Sequence, residues 1–434
     1  MNDEKTTMNG DSVLSRRSVL RGGIGAAAGV GALALAGARE DAAAQPDAAK
    51  GKKKGKNKGA GKPLWQNADR QGIIYGTSAA YTWQLEPDEE YAALVAKQAA
   101  LVFTEDDLLW YNVRPTPTSG LDFSAGDAFY DWAEQHGKLV LGAHLVWDDG
   151  FGEGWDTGGD WDYDLLRDLP ANQQWDLLFD TIDATLDRYK ERTAAWIVVN
   201  EVVDAHSDSG LRMEDYLWFQ NLGENVDDAY AIIKEAFVRT EQVDPGALRI
   251  LNEFGFETDS EWDKAADRRK NALKVIEELL HRDVPVQAFG VQAHLEAKNF
   301  ARRFDAKAYR RFLKDVASLG LDILITEMDV LDEGLPGKVK PRDKKVADVY
   351  KRYLDAALSE PAVGSVITFG LTDRYTWLQE DYPREDGKAR RPLPYDDDLK
   401  AKPARKALSN AMRTAKKRPC LLKTASGRCS NAAG

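Results

Sequence analysis

Two glutamates in this chain, Glu201 and Glu327, each follow an apolar run and could work as a pair. "WIVVNE" carries Asn200-Glu201 at the end of one run, and "LITEMD" carries Glu327 and Asp329 at the end of another. A carboxylate closing a buried strand is costly unless something uses it. Other apolar runs also end on polar groups. "ALVFT" leads to Glu105 and Asp106, "LVLGAHLV" to Trp147 and Asp148, and "ALRIL" to Asn252 and Glu253. "VQAHLE" holds Gln292 and His294, and "GSVITFG" is followed by "TDRYTW" with Trp377. Strand alternation puts Glu327 and Asp329 on one face and Gln292 and His294 on one face. His294 is then placed to hold Glu327, with Asp329 beside it, as a network that orients a nucleophile. Paired carboxylates suit glycoside hydrolysis. One donates a proton to the leaving oxygen while the other, ionised, attacks the anomeric carbon. A separation of about 5–5.5 Å gives retention and about 6.5–9.5 Å inversion. A single strand-end Glu or His is commonly structural; the acidic endings taken together with His294 carry the reading.

Such endings must be brought to one place by the elements before them. Eight strand-like runs span residues 72–78, 100–104, 139–147, 194–200, 247–253, 287–293, 321–326 and 364–370. Apolar residues at helical spacing fill the intervals, as in 88–100, 174–192, 226–242, 268–282, 306–320 and 345–360. Eight β-then-α units predict an α/β fold, a single (β/α)8 TIM barrel with its active site at the C-terminal strand ends. A doubly wound open sheet is the alternative, without a Gly-rich phosphate loop after the first strand to support it. The longest loop follows strand four, from Val202 to about Asn225.

The 434 residues suffice for one large domain or two ordinary ones. Residues 1–38 read as a signal peptide. Arg16-Arg17 precedes a Gly/Ala-rich apolar run, and small-residue exits lie at 38–44. This pattern favours the twin-arginine export route and a periplasmic or secreted protein, with a membrane anchor as the alternative. Residues 39–63 form a Gly/Lys-rich linker, 64–412 the catalytic domain and 413–434 a tail. From residue 63 on, the chain holds 47 Lys/Arg and 65 Asp/Glu, a net charge of −18. That argues against a nucleic-acid partner and suits a neutral or cation-screened glycan. The two cysteines, Cys420 and Cys429, could pair in an oxidising compartment. No Cys/His cluster has metal-site spacing, and no metal or organic cofactor is implied. Twelve tryptophans are core material first, and sugar-stacking platforms where they meet a cleft.

In order along residues 64–412, the motifs resemble those of glycoside hydrolase family 10, the endo-β-1,4-xylanases. "WIVVNEVVDA" is similar to W-D-V-V-N-E-A, "LITEMDV" to I-T-E-L-D-I, and "LVLGAHLVW" to G-H-T-L-V-W. "FGVQAHLE" resembles G-x-Q-x-H-L, "RILNEFGFE" resembles Y-I-N-D-Y-N-I-E, and "TFGLTDRYTWL" resembles W-G-x-x-D-x-x-S-W. The resemblance implies a retaining double displacement on a polysaccharide by an endo-acting enzyme. Glu201 would be the acid/base and Glu327 the nucleophile, with Asn200, His294 and Asp329 in support. Glu105, Asp106, Gln292, Trp147 and Trp377 would bind substrate. A monomer without stable membrane insertion after signal cleavage is expected.

The departures from the family pattern fall mainly on its glycone side. Where the motif E-N-x-M-K-W has Asn and Lys, this chain has Asp106 and Leu109. The His of G-H-T-L-V-W is Ala143, with His144 one place along and expected to point elsewhere. Asp148 replaces a His, and Phe369 replaces a Trp. The pair for chemistry is kept and the sugar grip is rewritten. The expected substrate is therefore xylan or another β-linked glycan such as a bacterial exopolysaccharide. A transglycosylase or a non-catalytic glycan-binding barrel are the competing readings.

Overall fold

The computed structural model describes residues 62–155, 163–223, 225–259 and 264–422. The expected signal peptide, almost all of the linker, and Cys429 lie outside the described residues.

All eight predicted strands form, within a few residues of the expected bounds. They run Ile74–Ala79, Leu101–Thr104, Leu139–Gly142, Ala195–Asn200, Leu248–Glu253, Ala288–Val291 continued by His294–Glu296, Asp322–Leu331 and Val363–Thr368. All neighbours are parallel, and strand eight pairs with strand one to close the ring. Strands buried on both faces read as unbroken apolar runs, which is why the sequence shows them clearly. Two apolar layers result. Inside the barrel pack residues such as Ile74, Leu141, Ile197, Ile250 and Leu324. Outside it, the strands meet helices that include Ala171–Tyr189, Val226–Val243, Ala265–His281 and Val339–Ala357. A further helix at Ser124–Gln135 fills the second interval and buries Phe129, Tyr130, Trp132 and Ala133.

Strands three and six break off at the barrel mouth. Strand three ends at Gly142, and the next peptide, Ala143–His144, is cis; pairing resumes only as a bridge between Val146 and Val199. Strand six is interrupted at Gln292-Ala293, where Ala293 has φ +62°. Strands three and six then re-aim their last side chains, with consequences at the barrel mouth.

The segment after the last helix, Pro403–Thr414, turns under the N-terminal end of the barrel. Leu422 joins the inner apolar cluster, and Arg418 is buried. The Arg418 guanidinium donates to the carbonyls of Leu358, Glu360 and Val363 at 2.9, 3.1 and 2.6 Å. Cys420, between them, is disulfide-bonded.

Candidate active site

At the C-terminal mouth, Glu201 and Glu327 are joined by a chain of hydrogen bonds. Gln292 Nε2 donates to Glu201 Oε1 at 2.7 Å and reaches Asn200 Oδ1 at 3.4 Å. Asn252 Nδ2 donates both to Asn200 Oδ1 and to Glu327 Oε1, each at 2.8 Å. Thr326 Oγ1 donates to Asn252 Oδ1 at 2.7 Å and fixes which way that amide faces. On the other side of Glu327, His294 Nε2 meets Oε2 at 3.1 Å, and His294 Nδ1 meets Asp329 Oδ1 at 3.0 Å. Trp377 Nε1 closes the chain on Asp329 Oδ2 at 2.7 Å. Burial disfavours a charge on His294, but Asp329 and Glu327 outweigh it and push its pKa up to about 9. A protonated His294 donates from both nitrogens and keeps a positive charge beside Glu327.

Local backbone aims these groups. Glu201 has φ +61°, in the left-handed region that side-chain-bearing residues rarely adopt. Its N–H donates to Asn252 O at 3.0 Å, and its carbonyl accepts from Arg212 Nη1 at 2.8 Å. Arg212 also pairs with buried Asp148 at 3.0 Å, so Asp148 serves to hold the loop after strand four. The left-handed Ala293 separates Gln292 from His294, so the two serve different carboxylates although alternation alone put them on one face. Gly290 is the reason Asn252 fits: a Cβ there would lie 2.1 Å from Asn252 Oδ1.

Both glutamates line one cleft with Phe103, Glu105, Asp106, Leu109, His144, Trp147, Asp149, Asn200, His294, Phe369 and Trp377. The cavity between them has a volume of about 150 Å³. Trp147 Nε1 donates to Glu201 Oε2 at 3.3 Å. Asn200, its oxygen occupied by Asn252, is left with its NH2 free at the cleft. Among the described residues no group of three His, Cys, Asp or Glu is arranged to hold a metal ion.

Of the ten residues the sequence singled out, eight line the cleft; Asp329 and Gln292 stand behind it. Gln292, expected to bind substrate, is buried and spends its amide on Glu201. His144, expected to point elsewhere, is a second correction. The strand breaks just before it, alternation no longer applies, and its ring lines the cleft between Phe103 and Trp147. Burial lowers the pKa of His144. Asp149 is a cleft residue that the strand endings did not mark. Burial raises it to about 7, against hydrogen bonds from the Tyr163 hydroxyl and the Gly150 N–H, each 2.8 Å. Asn252 was visible as a strand ending, but its role depends on Gly290 and Thr326 from neighbouring strands.

Similar proteins share this architecture. The family model for glycosyl hydrolase family 10 matches residues 64–411. Endo-1,4-beta-xylanase B of Thermotoga neapolitana is 27% identical over 353 residues, 81% of this chain and 91% of the relative. The structure of native xylanase 10B from Thermotoga maritima aligns with a TM-score of 0.67 at 27% identity, covering 81% of this chain and 98% of that one. Xylanase 10B from Thermotoga petrophila RKU-1, solved in complex with xylobiose, aligns with the same TM-score, identity and coverage. With its barrel, its carboxylate-lined mouth and a family match over most of its length, this chain belongs to glycosyl hydrolase family 10 and is a xylanase-like glycoside hydrolase.

Proposed function

We propose that the protein is a retaining endo-β-glycanase that cuts internal bonds of a polysaccharide by double displacement. The observation that carries this is the hydrogen-bonded chain linking Glu201 to Glu327 at one cleft. Glu327, flanked by His294 and the Asn252 amide, is held and pointed, as a nucleophile requires. It attacks the anomeric carbon while Glu201 gives its proton to the leaving oxygen. Glu201 then takes a proton from water, and the hydroxide releases the sugar from Glu327. The free NH2 of Asn200 is placed for the 2-hydroxyl of the sugar being cut. Trp147 and Trp377 offer ring surface on either side of the pair.

A mechanism-based 2-fluoroglycoside should label Glu327, and the first product released should keep the anomeric configuration of the substrate. Glu327→Ala should lower kcat by at least about 10³-fold, and Glu201→Ala should slow poor leaving groups far more than activated aryl glycosides. Full activity in Glu327→Ala on every glycan that the native protein hydrolyses sinks the assignment. Export by the twin-arginine route belongs to the same proposal and rests on Arg16-Arg17. Replacing both by Lys should leave the protein in the cytoplasm; unchanged export rejects that route.

A further inference from the structure

The strand-two end of the cleft carries charge that bond cleavage does not explain. Glu105 and Asp106 are consecutive, and both line the cleft. Ser78 Oγ donates to Glu105 Oε2 at 2.9 Å, and Gln84 also bonds Glu105. Trp83 Nε1 and the Tyr111 hydroxyl bond Asp106. None of these partners is a cation, and among the described residues no lysine or arginine lines the cleft. Burial and the adjacent Asp106 push Glu105 up to about 8, and burial raises Asp106 too. Neighbouring buried carboxyl groups share a proton or recruit a positive charge.

The hydrogen-bonding inventory of the cleft points the same way. Trp147 and Trp377 spend their indole N–H groups on Glu201 and Asp329, and His294 spends both nitrogens on Glu327 and Asp329. Asn200 offers a free donor to the cleft, while the single N–H of a neutral His144 is buried rather than turned to the opening. Acceptors are plentiful: Glu105, Asp106 and Asp149, besides the catalytic pair. Leu109, Phe103 and Phe369 make the remaining wall apolar. A ligand group that donates in several directions, accepts nothing and is positive matches this wall, which is the description of an ammonium. The rings of Phe103 and Phe369 favour a cation as well. Trp83, 45% exposed at the rim and bonded to Asp106, adds a third ring.

We propose that the glycone end of the cleft takes a β-linked sugar bearing a protonated amine, as in a deacetylated aminoglycan, with Glu105 and Asp106 as its ionic partners. The inference rests on the endo-glycanase reading for its orientation of the chain in the cleft. The body of the protein, at net −18, draws a cationic polymer towards it. A uronate fits this end poorly, because its carboxylate would face the Glu105 and Asp106 carboxyl groups with no lysine or arginine beside them.

The test compares kcat/KM for the β-1,4-linked glucosamine tetramer, its N-acetylated counterpart, cellotetraose and xylotetraose. The aminated tetramer should lead each of the others by roughly tenfold or more, and added salt should narrow that lead. Glu105→Gln with Asp106→Asn should reduce the ratio of aminated to neutral substrate by roughly tenfold, a change that a general loss of fold does not produce. Equal or better cleavage of xylotetraose or cellotetraose overturns the amine inference and leaves the glycanase reading standing. No cleavage of any tetramer, with tight calorimetric binding of the aminated one that the double variant loses, overturns the glycanase reading and supports the inference. Neither cleavage nor binding overturns both.

Discussion

His294 is the residue on which the state of the proposed nucleophile turns. Its charge is held by Asp329 and Glu327 against the cost of burial, and its pKa in the folded protein is about 9, above the ordinary value of 6.5. A raised pKa means that the folded state binds the proton more tightly than the unfolded chain. The stabilisation is complete below about pH 6.5 and is lost as the pH rises through about 9. Denaturant midpoints of the native protein should therefore fall between these pH values, and His294→Gln should remove that limb of the profile. In the same variant kcat should fall by roughly 10²-fold or more while KM moves little, because Glu327 loses the group that orients it. A pH–stability profile unchanged by His294→Gln would falsify this account of the charge.

At the scale of elements, the barrel strands were legible because each is a short, doubly buried apolar run. Glu201, Glu327 and His294 were legible because a polar residue that closes such a run has a known address at the barrel mouth. Legibility failed where a strand leaves regular geometry. His144 enters the cleft beyond the break after Gly142, and Gln292 and His294 part company across the left-handed Ala293. Period-two alternation has no means of announcing either event. Asp149 lies on a loop and Trp83 in the single helical turn Tyr81–Leu85, both too short to show a periodicity that assigns a face. The Ala293 geometry is itself testable. A left-handed residue with a Cβ costs roughly 1–2 kcal/mol, and a β-branched side chain costs more. Ala293→Gly should leave thermal stability near the native value or raise it. Ala293→Val should lower stability by about 1–3 kcal/mol and should also impair kcat, because both Gln292 and His294 are displaced. Equal melting temperatures for the two variants count against the strain.

At the scale of the whole molecule, the C-terminal segment closes the end of the barrel opposite the cleft. Arg418 satisfies three carbonyls near the start of strand eight, and Leu421 and Leu422 cover the inner apolar cluster. A Cβ on Gly364 would meet Leu421 Cβ at 2.8 Å, so the fit leaves no slack. Arg418→Leu keeps much of the volume but strands those buried carbonyls, and should cost about 2–4 kcal/mol in urea unfolding. Because the segment sits at the far end, kcat of the folded fraction should be unchanged; a matching fall in kcat refutes a purely structural role.

The hydrogen-bonded chain at the mouth has one more consequence. It begins at Asn200 and Glu201 on strand four and runs through Asn252, Gln292, His294, Glu327 and Asp329 to Trp377, and Trp147, beyond strand three, joins it only by its bond to Glu201. The mouth is thus divided into two arcs. One arc holds the groups that break the bond, each locked by its neighbour and intolerant of change. The other, with Glu105, Asp106, Leu109 and His144, shares no member with that chain and is free to vary on its own. New substrates can be reached from this scaffold by rewriting the second arc alone, and grafting strand two with the loop after it from a relative should transfer its sugar preference while the chemistry stays in place.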